Sequence, residues 1–315
     1  MIIDLPSTGA HEVAKRLVQL REDHGAVALG RVLTLILVVA EEHAEEALDC
    51  AIHASHEHPA RVIAVVRSTA RGAPRLDAQI RIGGDAGAGE IVVARTFGPL
   101  TRHPESVVIP LMLPDTPIVA WWPAEAPENP SEDAVGRLAQ RRITDALAAK
   151  RPANAIRDRA AHYTPGDTDL AWTRLTKWRA LLAAAVDQPP FEDVASARVV
   201  AESTHPSGDL MAAWLALALR CPVTRAKAGK ADGLVSVRLD RPSGRIAIDR
   251  PGEDVATLST PGYADRRVAL PRRTVAECLA EELRRLDPDE VYGEVLTTGM
   301  ELLRETGRTT RASSG

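Results

Sequence analysis

The chain has 315 residues, of which 45% are hydrophobic and 26% charged, with a net charge of −4. That content argues against wholesale disorder, supports a packed core and, at this length, suggests two domains. Without an excess of positive charge, nucleic acid is not an expected partner, and the longest apolar run, VLTLILVVA at 32–40, falls far short of the ~20 residues of a membrane helix.

The opening MIIDLPSTG carries an acid and no basic segment, so it does not read as a signal peptide. Cys50, Cys221 and Cys278 are far apart in sequence. A sparse, odd set points to a reducing cytoplasm rather than a disulfide framework.

GAHEVAKRLVQLREDH, residues 9–24, places Val13, Leu17, Val18 and Leu20 at helical spacing. VLTLILVVA is a continuous β-branched and aliphatic run, as in a strand covered on both faces. EEHAEEALDCAIHASHEH reads as a helix with acids first and histidines last, and Pro59 ends it. RVIAVVRS, LDAQIRI and IVVARTFG read as strands, with the glycine-rich GGDAGAGE as the turn between the last two. TPIVAWW is a further strand, and PAEAPENPSED is a polar linker. SEDAVGRLAQRRITDALAAK reads as a helix with Ser131 as N-cap, and GDTDLAWTRLTKWR as the start of another. After Pro189-Pro190 come the strand ARVVAES, the very apolar helix DLMAAWLALALR, three strands (VTRAKA, LVSVRLD, GRIAIDR) and the amphipathic helix TVAECLAEELRRL.

This order contains a repeat. Val38-Val39-Ala40-Glu41 recurs as Val199-Val200-Ala201-Glu202, each time between a strand and an apolar helix, with a proline and three strands following. The expected fold is therefore α/β (α+β), with two related β-α-β-β-β units of mixed sheet joined by a helical connector. The expected boundaries are an N-terminal unit at 1–125, the connector at 126–190, a C-terminal unit at 191–303 and a disordered tail at 304–315.

Chemistry-bearing motifs are scarce. GGDAGAGE has neither the lysine of a P-loop nor the spacing of a dinucleotide fingerprint. Cys50, His53, His56 and His58 are the best metal candidates, but helical rotation spreads them round the axis, so no metal is expected. Asp167 and Asp169 fit N-capping better than acid–base catalysis. Arg141-Arg142 and Arg272-Arg273 read as solvated surface. No catalytic residue, cofactor or metal site is assigned.

The tryptophans are the remaining signal. On one helix, Ala171, Leu175, Trp178, Leu182 and Ala185 form a single stripe, which puts Trp178 in the core. Trp172 and Arg179 fall together on a flank, where Arg179 can stack on the indole. Core packing accounts for both tryptophans; a partner surface accounts for Trp172 and Arg179, since both residue types are enriched there. Trp121 and Trp122 alternate across a strand, so only one is expected in a given core. Pro117 and Pro123 argue against a central strand at that place. Trp121, Trp122, Trp172 and Arg179 are the partner-binding candidates.

MIIDLPSTG, GAVALGRVLTLILV, HPARVI at 58–63, FGPL at 97–100, LPDTPIVAWWP at 113–123, RRITDA at 141–146 and GDTDLAWTRLTKWR follow one another in a specific order. Together they resemble the actinobacterial OpcA family of glucose-6-phosphate dehydrogenase assembly proteins, from residue 1 to about residue 303. The resemblance implies a non-catalytic cytoplasmic protein that binds glucose-6-phosphate dehydrogenase and favours its active oligomer at the entry to the oxidative pentose phosphate pathway. It implies no catalytic residues. The cysteine-based control associated with cyanobacterial relatives is not implied for this sequence, which has no close pair of cysteines. The rival reading is a sugar-phosphate sensor or cryptic enzyme with a cleft between the two units.

Overall fold

The computed structural model describes residues 1–23, 33–70, 72–82, 89–229, 233–252 and 254–305. Most of the glycine-rich turn, and the tail from residue 306, lie outside the described residues. The first elements are β1 (Ile2–Thr8), α1 (Ala10–Asp23), β2 (Leu33–Ala40), α2 (Ala44–Glu57), β3 (Ala60–Arg67), β4 (Arg75–Ile82), β5 (Glu90–Phe97), α3 (Pro104–Val108), β6 (Ile118–Trp122) and β7 (Arg141–Thr144). Then follow α4 (Pro152–Ala161), β8 (Asp167–Asp169), α5 (Leu170–Thr173), α6 (Thr176–Val186), β9 (Ser196–Ala201), α7 (Pro206–Leu219) and β10 (Val223–Lys227). Last come β11 (Leu234–Arg241), β12 (Gly244–Asp249), β13 (Val255–Ser259), β14 (Arg266–Ala269), α8 (Val275–Arg284) and α9 (Glu290–Glu294).

The chain forms two compact units. The first comprises Met1–Ala149, Gly166–Thr168 and Thr274–Pro288, and the second Lys150–Pro165, Asp169–Arg273 and Asp289–Gly315. These units are drawn differently from the three-part division expected along the sequence: α8, late in the chain, belongs to the first unit.

The eight-stranded sheet has the order β1-β4-β5-β3-β2-β6-β7-β8. The pairs from β5 through β3, β2 and β6 to β7 are parallel, whereas β4 runs antiparallel to β1 and β5. β2 and β3 are buried along nearly their whole length, as strands covered on both faces must be. Val13 and Leu17 of α1 and Val107 of α3 pack on one face against Ile36, Ile63 and Val92. α2 packs against β2 and β3, and α8 packs against α2. A capping box starts α8: Thr274 Oγ1 accepts from the Glu277 N–H and the Glu277 carboxylate accepts from the Thr274 N–H.

Two expectations fail in this sheet. β6 lies centrally between β2 and β7, in spite of its flanking prolines. Pro117 and Pro123 stand just outside its five residues, so no ladder donor is lost. The stretch read as a helix over 131–150 instead holds β7 and short 3₁₀ turns at Pro130–Glu132, Gly136–Leu138 and Ala146–Ala148, so Ser131 lies inside a turn rather than capping a helix. All four residues of β7 are buried, including Arg141 and Arg142, which had read as surface. Arg141 pairs with Glu282 of α8 and donates to Asp287 O at 2.8 Å; Arg142 pairs with Asp167 of β8. Buried arginines need such partners. Gly166 holds φ at +98°, and a Cβ there would collide with Gln140 O.

The six-stranded sheet of the second unit has the order β10-β9-β11-β12-β13-β14, in which only β9 and β10 pair in parallel. Burial alternates along β11, as in a sheet with one covered face. α7 covers β9 and β10, and α6 packs on β12. The other face carries Arg198, Arg238 and Arg245, with Arg238–Asp249 at 3.1 Å and Arg245–Asp240 at 2.7 Å.

The chain is thus an α/β protein of two units with mixed sheets. The internal repeat is not a repeat of topology. In the first unit the hairpin adds beside β3, giving β4-β5-β3-β2, because β6 occupies the far side of β2. In the second unit β11 returns beside β9, and β10 stays at the edge with Arg225 and Lys227 on it, charged residues that suit an unpaired edge.

Replacing Glu282 by Ala leaves the Arg141 guanidinium buried without its carboxylate, and is expected to cost about 3–5 kcal/mol in urea unfolding. The double replacement Arg141→Met, Glu282→Leu is expected to recover most of that loss. Equal stability of Glu282→Ala and the unaltered protein would show that the pair does not hold α8 to the sheet.

Candidate partner-binding residues

Trp121 and Trp122 project to opposite faces of β6, as alternation requires. Trp122 belongs to the core of α1, α3 and the sheet. Trp121 shares a row with Leu37 on the face that α2 covers. Both faces are covered, so both indoles are buried, at 0% and 1% exposure. Neither is open to a partner.

Asp169 is the N-cap of α5, its carboxylate accepting the Ala171 N–H at 2.8 Å. Asp167 is engaged with Arg142. The helix expected from Asp169 onward is broken at Arg174 and Leu175 into α5 and α6. Trp178 is buried as expected, with the Arg250 guanidinium 5.1 Å from the ring centroid. Trp172 is not the half-open flank residue that a continuous helix predicts: it is 1% exposed.

The surroundings of Trp172 explain this. Its indole N–H donates to Asp289 Oδ2 at 2.8 Å, and the Tyr292 ring lies 5.8 Å away. Tyr163 meets Tyr292 edge-on at 6.1 Å. The Arg179 guanidinium stacks on Trp172 at 3.5 Å, as the spacing predicts. Asp289 also caps α9 through the Tyr292 N–H. Sequence reading missed Asp289, Tyr163 and Tyr292. An aspartate at the start of a short helix was the available signal, but nothing local links it to Trp172.

The other candidates are accounted for. His53 and His56 are exposed on α2 and Cys50 is half-buried; among the described residues no three His, Cys, Asp or Glu side chains converge as metal ligands. Burial, with Glu46, Asp49 and Asp145 nearby, pushes the Cys50 thiol up, and burial pushes up that of Cys221. Arg273 donates to Thr173 O at 3.0 Å. None of the described helices is long and apolar enough to cross a membrane.

What stays open is the C-terminal half of α7. Trp214 and Leu219 are half-buried there, and Ala218 is exposed. A cleft of about 490 Å³ runs between this half and α6, lined by Leu182, Ala183, Val186, Trp214 and Ala218 and floored by Leu239 of β11. A second, of about 620 Å³, lies on the other side of α7, with Leu217, Cys221, Thr298 and Leu302 in its walls.

Residues 51–161 match the family model described as the glucose-6-phosphate dehydrogenase subunit N-terminal domain, and residues 165–296 match that of its C-terminal domain, both of the OpcA type. A comparison with curated proteins found no match.

Trp172→Ala and Trp178→Ala are each expected to lose about 3–5 kcal/mol in urea unfolding, because both indoles are enclosed. Trp172→Phe keeps most of the contact but removes the indole donor to Asp289 Oδ2, at a cost of about 1–3 kcal/mol. A near-neutral Trp172→Ala would return that indole to the surface. The raised thiol pKa values of Cys50 and Cys221 predict that, at neutral pH, iodoacetamide alkylates the native protein more slowly than the urea-unfolded chain. Equal rates would contradict the burial.

Proposed function

We propose, since the chain belongs to the OpcA family of glucose-6-phosphate dehydrogenase subunits, that it is a non-catalytic cytoplasmic assembly factor for glucose-6-phosphate dehydrogenase. The observation that carries this reading is the pair of family matches, which together take in most of both units. The disposition of the charged groups supports it. Asp167 is held by Arg142, Asp169 caps a helix, and Arg141 is tied to Glu282. These side chains hold the fold together.

An assembly factor acts through differential affinity. It binds the active oligomer of the dehydrogenase more tightly than the inactive species and shifts the population toward it. Couplings of this kind are typically worth 1–3 kcal/mol, or roughly 5- to 150-fold in affinity. Linkage makes the effect reciprocal: conditions that already favour the active oligomer tighten binding of this chain by the same factor.

The test uses the two purified proteins. Alone, the chain is expected to turn over neither glucose 6-phosphate nor a nicotinamide cofactor. Mixed with the dehydrogenase, it is expected to raise kcat/KM and move the sedimentation profile toward a larger species that contains both. Unchanged kinetics together with unchanged sedimentation would overturn the proposal.

A further inference from the structure

An α-helix that is apolar on every side is normally enclosed. α7 is such a helix over Leu210–Leu219, yet its last turns are not enclosed. Trp214 is the one tryptophan of the five that is not buried. It stands in the cleft of about 490 Å³ between α6 and α7. The outer side of α6 is lined by Ala180, Ala183 and Ala184, all exposed, which lets another helix approach closely.

The loop after α6 continues this surface. Phe191, one of only two phenylalanines in the chain, is 78% exposed. The chain is tied on either side of it, before it by the backbone and after it by a side chain: Pro190 O accepts from Arg241 Nη1 at 3.2 Å, and the Glu192 carboxylate accepts the Ser243 N–H at 3.0 Å. Arg241 lies two residues beyond Leu239 on β11, which floors the cleft. An exposed aromatic side chain on a fixed backbone loses little entropy when it binds.

Asp187 is the one charged residue among those lining the cleft. Glu192 and Asp193 follow on the loop, Glu192 held by the Ser243 N–H and close to the buried Arg241. Asp187 lies on the rim of the cleft, and Asp187 and Asp193 are exposed. Arg220 lines the second cleft, on the other side of α7. Apolar walls with an acidic rim select an apolar element flanked by positive charge.

We propose that the groove between α6 and α7, extended by Phe191, is the surface that takes a basic amphipathic helix of the dehydrogenase. This rests on the assembly reading for the identity of the partner, while the chemistry of the surface stands on its own residues. Apolar side chains of the incoming helix fill the cleft against Trp214 and Leu182. Its lysines and arginines meet Asp187 and Asp193. Phe191 enters an apolar socket beside that helix.

Three variants test the surface: Ala183→Lys, which obstructs the cleft from an exposed helix position; Phe191→Ala, on the loop; and Asp187→Lys with Asp193→Lys. Each is expected to keep the thermal midpoint of the unaltered protein and to weaken binding of the dehydrogenase about thirtyfold, the loss typical of an interface anchor. The charge variant should also lose most of the salt dependence. If the unaltered protein binds and all three variants bind within about twofold of it, the surface is wrong and the assembly reading stands. If the unaltered protein does not bind the dehydrogenase, the assembly reading fails, and a synthetic amphipathic helix of leucine and lysine decides the surface. Binding of that peptide, lost in Ala183→Lys and absent for a leucine–glutamate counterpart, supports it. Equal binding to Ala183→Lys, or equal affinity for the two peptides, overturns it.

Discussion

The first unit depends on one constraint: β2 and β3 are apolar along almost every residue, so their sheet must be covered on both faces. α1 and α3 supply one cover and α2 and α8 the other. α8 comes from late in the chain and is fixed by Arg141–Glu282, between β7 and the helix. The second buried pair, Arg142–Asp167, joins β7 to β8. A third, Arg61–Glu90, sits in register between β3 and β5, with Arg61 also bonding Leu111 O at 2.7 Å. Desolvation offsets much of the attraction in such pairs, but breaking one leaves a buried charge alone. The same two-sided cover encloses Trp121 and Trp122.

The second unit solves a lighter problem. Its sheet has one apolar face, and the other is a lattice of arginines and aspartates. One helical layer suffices, made of short pieces joined by specific contacts. Trp172 reaches Asp289, which caps α9; Tyr292 packs between Trp172 and Tyr163. Beyond α9 the helix passes through a π turn at Val295–Gly299, and a Cβ on Gly299 would lie 2.7 Å from Ala213 O of α7. This close approach encloses the middle of α7 and leaves its last turns open. The open segment is thus a consequence of how the layer is closed around it.

A binding role suits this arrangement. The charged residues that looked most available for chemistry in the sequence are engaged in capping or in buried pairs, whereas the open surface is apolar with an acidic rim. Such a surface stabilises another protein's conformation by contact and by charge matching. The two tryptophans of GDTDLAWTRLTKWR hold the helical layer in place, and the indole left to face outward is Trp214.

The sequence by itself determined the elements whose pattern is long and strong. The amphipathic stripe of α1, the aliphatic and β-branched run of β2, the apolar helix α7 and the amphipathic α8 all stand where periodicity puts them, because in each the local pattern and the tertiary cover agree. The α/β class, the capping by Asp169, the core position of Trp178, the stacking of Arg179 on Trp172 and the family were also legible: each is carried by local spacing or by an ordered series of motifs. Only the tertiary structure decided the rest. Arg-Arg-Ile-Thr is too short for its period to separate helix from strand, and it became β7 because β6, Glu282 and Asp167 were there to receive it. Strand order followed from which side of the first strand was free, which undid the repeat. Trp172 became buried because α5 and α6 are separate helices and Asp289 is within reach of its indole. Partners far apart in the chain settled each of these, and local sequence carries no energy term for a contact that exists only once the chain has folded.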